Sequence, residues 1–155
     1  MMLKNTLILT MVAVMTLCFI PIVNAQSGNS TVTARDVKKE TKKLINSLQQ
    51  YTFNQRKKAL KEVDQALKKL DERIDELQSR VDSNWDNMTQ AARQKAKTNL
   101  KALRQQRNEL AEWYGNLKNS SADAWGEMKK GFSDAYQAMS NAWKKAKQEY
   151  DTDNK

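Results

Sequence analysis

From Phe53 onward, apolar residues return every seven positions: Phe53, Leu60, Leu67, Ile74, Val81 and Met88. Val63, Leu70 and Leu77 fill the second apolar place of each repeat. This alternation of three and four makes a narrow stripe, which winds a helix left-handed around a partner. A surface helix of an ordinary globule carries a wider stripe. The pattern therefore predicts a coiled-coil seam of Phe53, Leu60, Val63, Leu67, Leu70, Ile74, Leu77 and Val81. Asp64 and Asp71 flank it on one side, and Arg73 and Arg80 on the other, as pairing between helices requires. The seam fades at Asn84, where the next apolar residue would stand.

A second run, Leu100, Leu103, Arg107, Leu110, Tyr114 and Leu117, is out of phase with the first. The join between them, DSNWDNMT at 82–89, collects Asp, Ser, Asn and Thr, which favour caps and turns over helix interiors. Two readings compete. In one the chain reverses at the join; in the other the helix runs on through Met88, Ala92, Ala96 and Leu100 with a local change of supercoil. Charge and phase favour reversal. Residues 62–88 carry eight acids against four bases, whereas 89–118 carry seven bases against Glu109 and Glu112. Strong helix formers dominate, and no strand-like alternation appears. The expected fold is all-α: a long antiparallel coiled-coil helical hairpin over 34–118, followed by a C-terminal amphipathic helix over 120–150.

Thr33 followed by Asp36 predicts the first helix start, with a side-chain oxygen on a free backbone N–H and an acid at the positive helix end. Ser120 followed by Asp123 repeats that signature before Trp125. Beyond it, Tyr114, Trp125 and Tyr136 stand eleven apart, as do Leu117, Met128, Met139 and Tyr150. An eleven-residue repeat fits a nearly straight or slightly right-handed seam. At helical spacing, Trp125, Phe132, Tyr136, Trp143 and Tyr150 fall within a band of roughly 40°, with Met128 and Met139 beside them. Lys129 and Lys147 border the band, where their stems can cover rings while the ammonium stays wet. These seven apolar residues form the candidate interaction face. Three uses are open to it: internal packing, a membrane interface that Trp, Tyr and flanking lysines suit, or a protein partner.

The N-terminus reads differently. Lys4 precedes the apolar run LILTMVAVMTLCFIPIV, and Val23-Asn24-Ala25 fits signal peptidase cleavage. Residues 1–25 are expected to be a signal peptide, with 26–33 a disordered leader. An uncleaved anchor is the competing reading, since the run reaches the lower limit of about 17 residues for spanning a bilayer. The periplasm is the expected location, with secretion as the alternative.

The net charge of +9 points to anionic partners, and after export lipid or envelope polyanions precede nucleic acid, which is not expected. Chemistry is narrowed sharply. The chain has no histidine, and Cys18 and Pro21 are its one cysteine and one proline, both within the signal segment. Disulfides are excluded from the processed chain, and zinc, copper and haem sites lose their usual ligands. Histidine-based triads go as well. No catalytic, cofactor-binding or metal-binding residue is assigned, and the chain is not expected to be an enzyme. Asn29-Ser30-Thr31, Asn87-Met88-Thr89 and Asn119-Ser120-Ser121 match the glycosylation acceptor pattern, which matters only in a eukaryote. The lysine clusters Lys38-Lys39, Lys42-Lys43 and Arg56-Lys57-Lys58 read as solvated helix faces or polyanion contacts.

The order of signal peptide, charged heptad helix, "NSSADAW" and then AWxxMKxGFxxAYxAMxxAW resembles small exported bacterial coiled-coil proteins whose tails repeat a Trp-x-x-Leu/Met-Lys unit. The amphipathic tail is similar, more loosely, to exchangeable apolipoproteins, whose repeats are punctuated by proline; this tail has none. The resemblance implies an exported helical protein and lends no activity. The expected function is a non-enzymatic structural or interaction role in the cell envelope, with reversible membrane-surface binding by the C-terminal helix as the alternative. The expected partners are a second copy in a homo-oligomer, another helical protein, or an anionic lipid surface.

Overall fold

The computed structural model describes residues 32–153. The expected signal peptide and most of the expected leader lie outside the described residues. Among the described residues there are four α-helices: α1 (Ala34–Gln50), α2 (Arg56–Asn84), α3 (Gln90–Lys118) and α4 (Trp125–Asp153). No strand is present among the described residues.

Local sequence accounts for each boundary. Thr33 caps α1 in a reciprocal box: its hydroxyl accepts from the Asp36 N–H at 3.2 Å, and its own N–H donates to the Asp36 carboxylate at 3.0 Å. The Thr33 hydroxyl also donates to that carboxylate at 2.6 Å, and this bond first, then the backbone one, holds the Asp36 carboxyl below its ordinary pKa. Val32 and Val37 stand at the positions of a hydrophobic staple, and Val37 is buried. The helix stops at Tyr51, whose backbone is extended. A 3-10 turn follows at Phe53–Gln55, where the Thr52 N–H donates to the Gln55 side chain. A second 3-10 turn, Trp85–Asn87, ends α2, and the Thr89 hydroxyl caps α3 by accepting from the Ala92 N–H.

At α4 the cap differs from expectation. Ser120 donates its hydroxyl back to the Leu117 carbonyl and so closes α3, while Ser121 accepts from the Ala124 N–H ahead of α4. Six residues, 119–124, make the turn, so α4 starts at Trp125 rather than 120.

Cross-helix pairs fix the directions. Arg73 meets Glu40 and Ser47 meets Glu62, so α1 and α2 are antiparallel. Arg107 holds Asp71 and Arg104 holds Gln78, so α3 runs back along α2. Asn99 donates to Glu149 and Lys95 pairs with Asp153, so α4 runs back along α3. Thr41 meets Ser140 and Gln49 meets Ser133, which sets α4 antiparallel to α1 as well. The four helices alternate in direction around one core. Within it the stretch expected to be a single hairpin, 34–118, holds three helices, because the chain breaks at Tyr51–Gln55.

The α3–α4 seam is close because α4 turns Gly131, Ala135, Ala142 and Ala146 toward it, residues that let backbones approach. Gly131 is the tightest point. A Cβ there would lie 2.1 Å from a Trp113 ring carbon, so the indole lies directly on the glycine backbone. At 17 residues α1 spans about 25 Å against about 43 Å for each 29-residue partner. The far end of the bundle is therefore a three-helix section. Its interior, between Val81, Met88, Ala92 and Tyr150, leaves a cavity of about 10 Å³, room for no more than one water.

Candidate interaction face and the basic side of the bundle

Seven-residue spacing explains where the aromatic residues of α4 go. Trp125, Lys129, Phe132, Tyr136, Met139, Trp143, Ala146 and Tyr150 alternate by four and three, and all but the half-buried Tyr150 are buried. Phe132 and Met139 have no exposed surface, and Trp125, Tyr136 and Trp143 keep 5% or less. Met128 is half-buried beside them. The operative repeat is thus the heptad, not the eleven-residue spacing, and the face lies inside the bundle. Lys129 breaks the apolar reading of this heptad, which is why the spacing was hard to see.

The polar tips of the rings are satisfied by backbone. The Trp125 indole N–H donates to the Tyr51 carbonyl at 2.9 Å. On α2, the Arg73 carbonyl accepts from Trp143 at 3.3 Å and the Arg80 carbonyl from the Tyr150 hydroxyl at 2.9 Å. Each arginine also lays its guanidinium over the ring its carbonyl receives, at 6.0 and 5.0 Å from the centroids. The device repeats after seven residues on both helices. It gives a buried indole and a phenol the partners that such groups need. Burial pushes the Tyr136 hydroxyl up to about 12, with the nearby Arg73 charge opposing that shift.

The predicted seam of α2 is placed as follows. Val63, Leu67, Leu70, Ile74, Leu77 and Val81 are buried, whereas Leu60 and Phe53 are half-buried. Phe53 stands in the 3-10 turn before α2, edge-on to Trp125 at 6.1 Å, with Arg56 over its face. The flanking charges pair in four ways. Asp64 takes Lys68 within its own helix, Asp71 takes Arg107 of α3, and Arg80 takes Asp151 of α4. Arg73 is itself buried and bound to Glu40 of α1.

What sequence reasoning missed is the seam between α1 and α4. On α1 it consists of Val37, Thr41, Leu44 and Leu48, again in steps of four and three. Facing them on α4 are polar residues: Lys129, Ser133 and Ser140, all buried. Thr41 donates to Ser140 at 2.8 Å in the middle of the seam. At its end the Lys129 ammonium donates to the Gln49 and Tyr51 carbonyls, both at 2.9 Å, closing the negative end of α1. The available signal was Thr52…Gln55, a capping-box spacing inside what reads as one helix.

Outside, α1 is basic. Arg35, Lys38, Lys39, Lys42 and Lys43 are exposed, and among the described residues no carboxylate lies within ion-pair distance of them. Glu40 is held by Arg73 and Asp36 by the Thr33 cap. Between α1 and α2 runs an open groove of about 450 Å³ with Tyr136 at its floor. On its rim, Glu62 accepts from the Tyr51 and Ser47 hydroxyls, which lowers the carboxyl pKa and raises that of Tyr51. Among the described residues no three His, Cys, Asp or Glu side chains gather as metal ligands, and no helix is long and apolar enough to cross a membrane. No protein-family model, curated protein or solved structure shows significant similarity to this chain.

Proposed function

We propose that the chain is a non-enzymatic, exported helical protein of the cell envelope that binds anionic lipid surfaces peripherally through the outer face of α1. One observation carries this reading: the aromatic face and the heptad seams are used within one chain, while the cationic outer face of α1 is exposed. Association of further copies through the same seams would need the bundle to come apart. In this reading α2 and α3 are the two arms of an antiparallel coiled coil, and the Asp71–Arg107 pair supports that arrangement. The coiled coil is a scaffold that presents α1. Binding is electrostatic and weakens with salt, because exposed charges are screened within about 10 Å at 0.1 M.

The test is co-sedimentation of the processed chain, starting at Gln26, with anionic and zwitterionic vesicles. A lysine near an anionic membrane contributes about 1 kcal/mol. Changing Lys38, Lys39, Lys42 and Lys43 together to Gln should therefore weaken binding by about two to three orders of magnitude, with the helical spectrum unchanged. Equal binding by the parent and the fourfold variant would refute the assignment to α1.

A further inference from the structure

We infer that α1 is a strap that lifts off α4 at an anionic lipid surface, turning about Tyr51–Gln55 and presenting the aromatic side of α4 to the membrane interface. The inference rests on the lipid-binding reading above and adds a conformational step to it. Three features of the fold converge on α1.

The first is the composition of its inner seam. Only Val37, Leu44 and Leu48 give it buried apolar side chains, and the centre is the Thr41–Ser140 hydroxyl pair. Hydroxyls that leave one another find water, so separating this pair costs far less than separating a fully apolar seam. Trp143 has partners on α2 as well, its indole N–H on the Arg73 carbonyl and the Arg73 guanidinium over its ring.

The second is where α1 is fastened. Its C-terminal end is tied by Lys129 and Trp125 to the Tyr51 carbonyl, and by Tyr51 and Ser47 to Glu62. The backbone at Tyr51 and Thr52 is extended, and α2 begins after its own 3-10 turn, so rotation there leaves both helices intact. Toward its N-terminal end, the cross-helix bonds of α1 are the Thr41 pair and the Glu40–Arg73 ion pair, with Glu40 44% exposed on its side chain. The fastened end is the hinge, and the other end swings.

The third is the outer face. The same helix that walls the groove over Tyr136 carries the exposed row Lys38, Lys39, Lys42 and Lys43. Attraction of that row to anionic headgroups acts on α1 itself, favouring the lifted state by differential binding, which is the way a ligand shifts a conformational equilibrium. Lifting then exposes Tyr and Trp beside Lys147, a set that suits the headgroup layer.

The experiment locks the strap. Thr41 and Ser140 bring their hydroxyl oxygens within 2.8 Å, so Thr41→Cys with Ser140→Cys places two sulfurs for a disulfide. The processed chain has no cysteine of its own. Trp85→Phe and Trp113→Phe leave Trp125 and Trp143 as reporters. Anionic vesicles containing brominated lipid quench a tryptophan that reaches the bilayer, while sedimentation reports attachment separately. The strap predicts that oxidised and reduced forms both sediment with vesicles, but that only the reduced form is quenched, with recovery on adding reductant to the oxidised one. Equal quenching of the two forms, or none in either despite sedimentation, overturns the strap and leaves peripheral binding standing. Sedimentation of neither form overturns both. Val37→Ala, without any cysteine, supplies an independent reading: loss of an aliphatic contact near the swinging end should speed the onset of quenching about tenfold. An unchanged or slower onset contradicts the strap.

Discussion

Gly131→Ala separates two opposing effects that the α3–α4 seam sets against each other. In an exposed helix the change is stabilising, by about 1 kcal/mol, because alanine loses less backbone freedom than glycine. Here the added Cβ would stand 2.1, 2.4 and 2.6 Å from three carbons of the Trp113 ring. Carbon atoms rest at about 3.5–4.0 Å, so the indole must retreat by about 1.5 Å or leave the notch. Insertion of a methyl into a filled site costs about 1–3 kcal/mol. The net result in the parent protein is a loss of up to about 2 kcal/mol. With Trp113→Ala in place the obstacle is gone, and the same substitution should stabilise by up to about 1 kcal/mol. The double-mutant cycle should therefore give a coupling of about 1–3 kcal/mol with a change of sign between backgrounds. Urea unfolding followed by circular dichroism measures all four proteins. If Gly131→Ala has the same effect with and without the Trp113 ring, the packing of the indole on the glycine is refuted.

Two further predictions concern the core. Leu70→Ala removes a side chain that is 2% exposed and should cost about 2–5 kcal/mol in chemical denaturation; a loss below about 0.5 kcal/mol, the range of surface changes, would contradict its burial. Tyr136 predicts an alkaline limit. Its pKa rises from 10 to about 12 in the folded chain, so its contribution is complete below pH 10 and is lost as pH climbs through 12. Two pKa units correspond to up to about 3 kcal/mol, so Tyr136→Phe should flatten the fall in stability across that window. Parallel pH profiles for the parent and the variant would show that burial of the phenol is not responsible.

The helical class and most of the α2 stripe were legible in the sequence because long heptads leave few alternatives: Leu67, Leu70, Ile74 and Leu77 have no other face to occupy. The turn at 82–89 was legible for a similar reason, since Thr89 has a capping role that it cannot fill inside a helix. The break after Gln50 was harder to read. Tyr51 and Phe53 look like continuing apolar positions, whereas the Thr52–Gln55 spacing that ends the run is made of residues common in helices. The α1–α4 seam was hidden by its own chemistry. Along the helix Lys129, Ser133, Ser140 and Lys147 look solvent-facing, yet α1 gives the first three their cross-helix bonds and Lys147 pairs with Asp151 of its own helix. Spacing alone groups the aromatic residues of α4 on one side, but the use of that side depends on what lies opposite, which spacing along one helix does not encode.

The aromatic side of α4 is interior in the free protein. The direct measurement is acrylamide quenching of the Trp85→Phe, Trp113→Phe variant in solution without lipid, so that Trp125 and Trp143, at 4% and 3% exposure, are the only emitters. Shielding of both indoles is predicted, with a quenching constant several-fold below that of the same protein unfolded in urea. Quenching as strong in buffer as in urea would place the two rings in water and contradict the account.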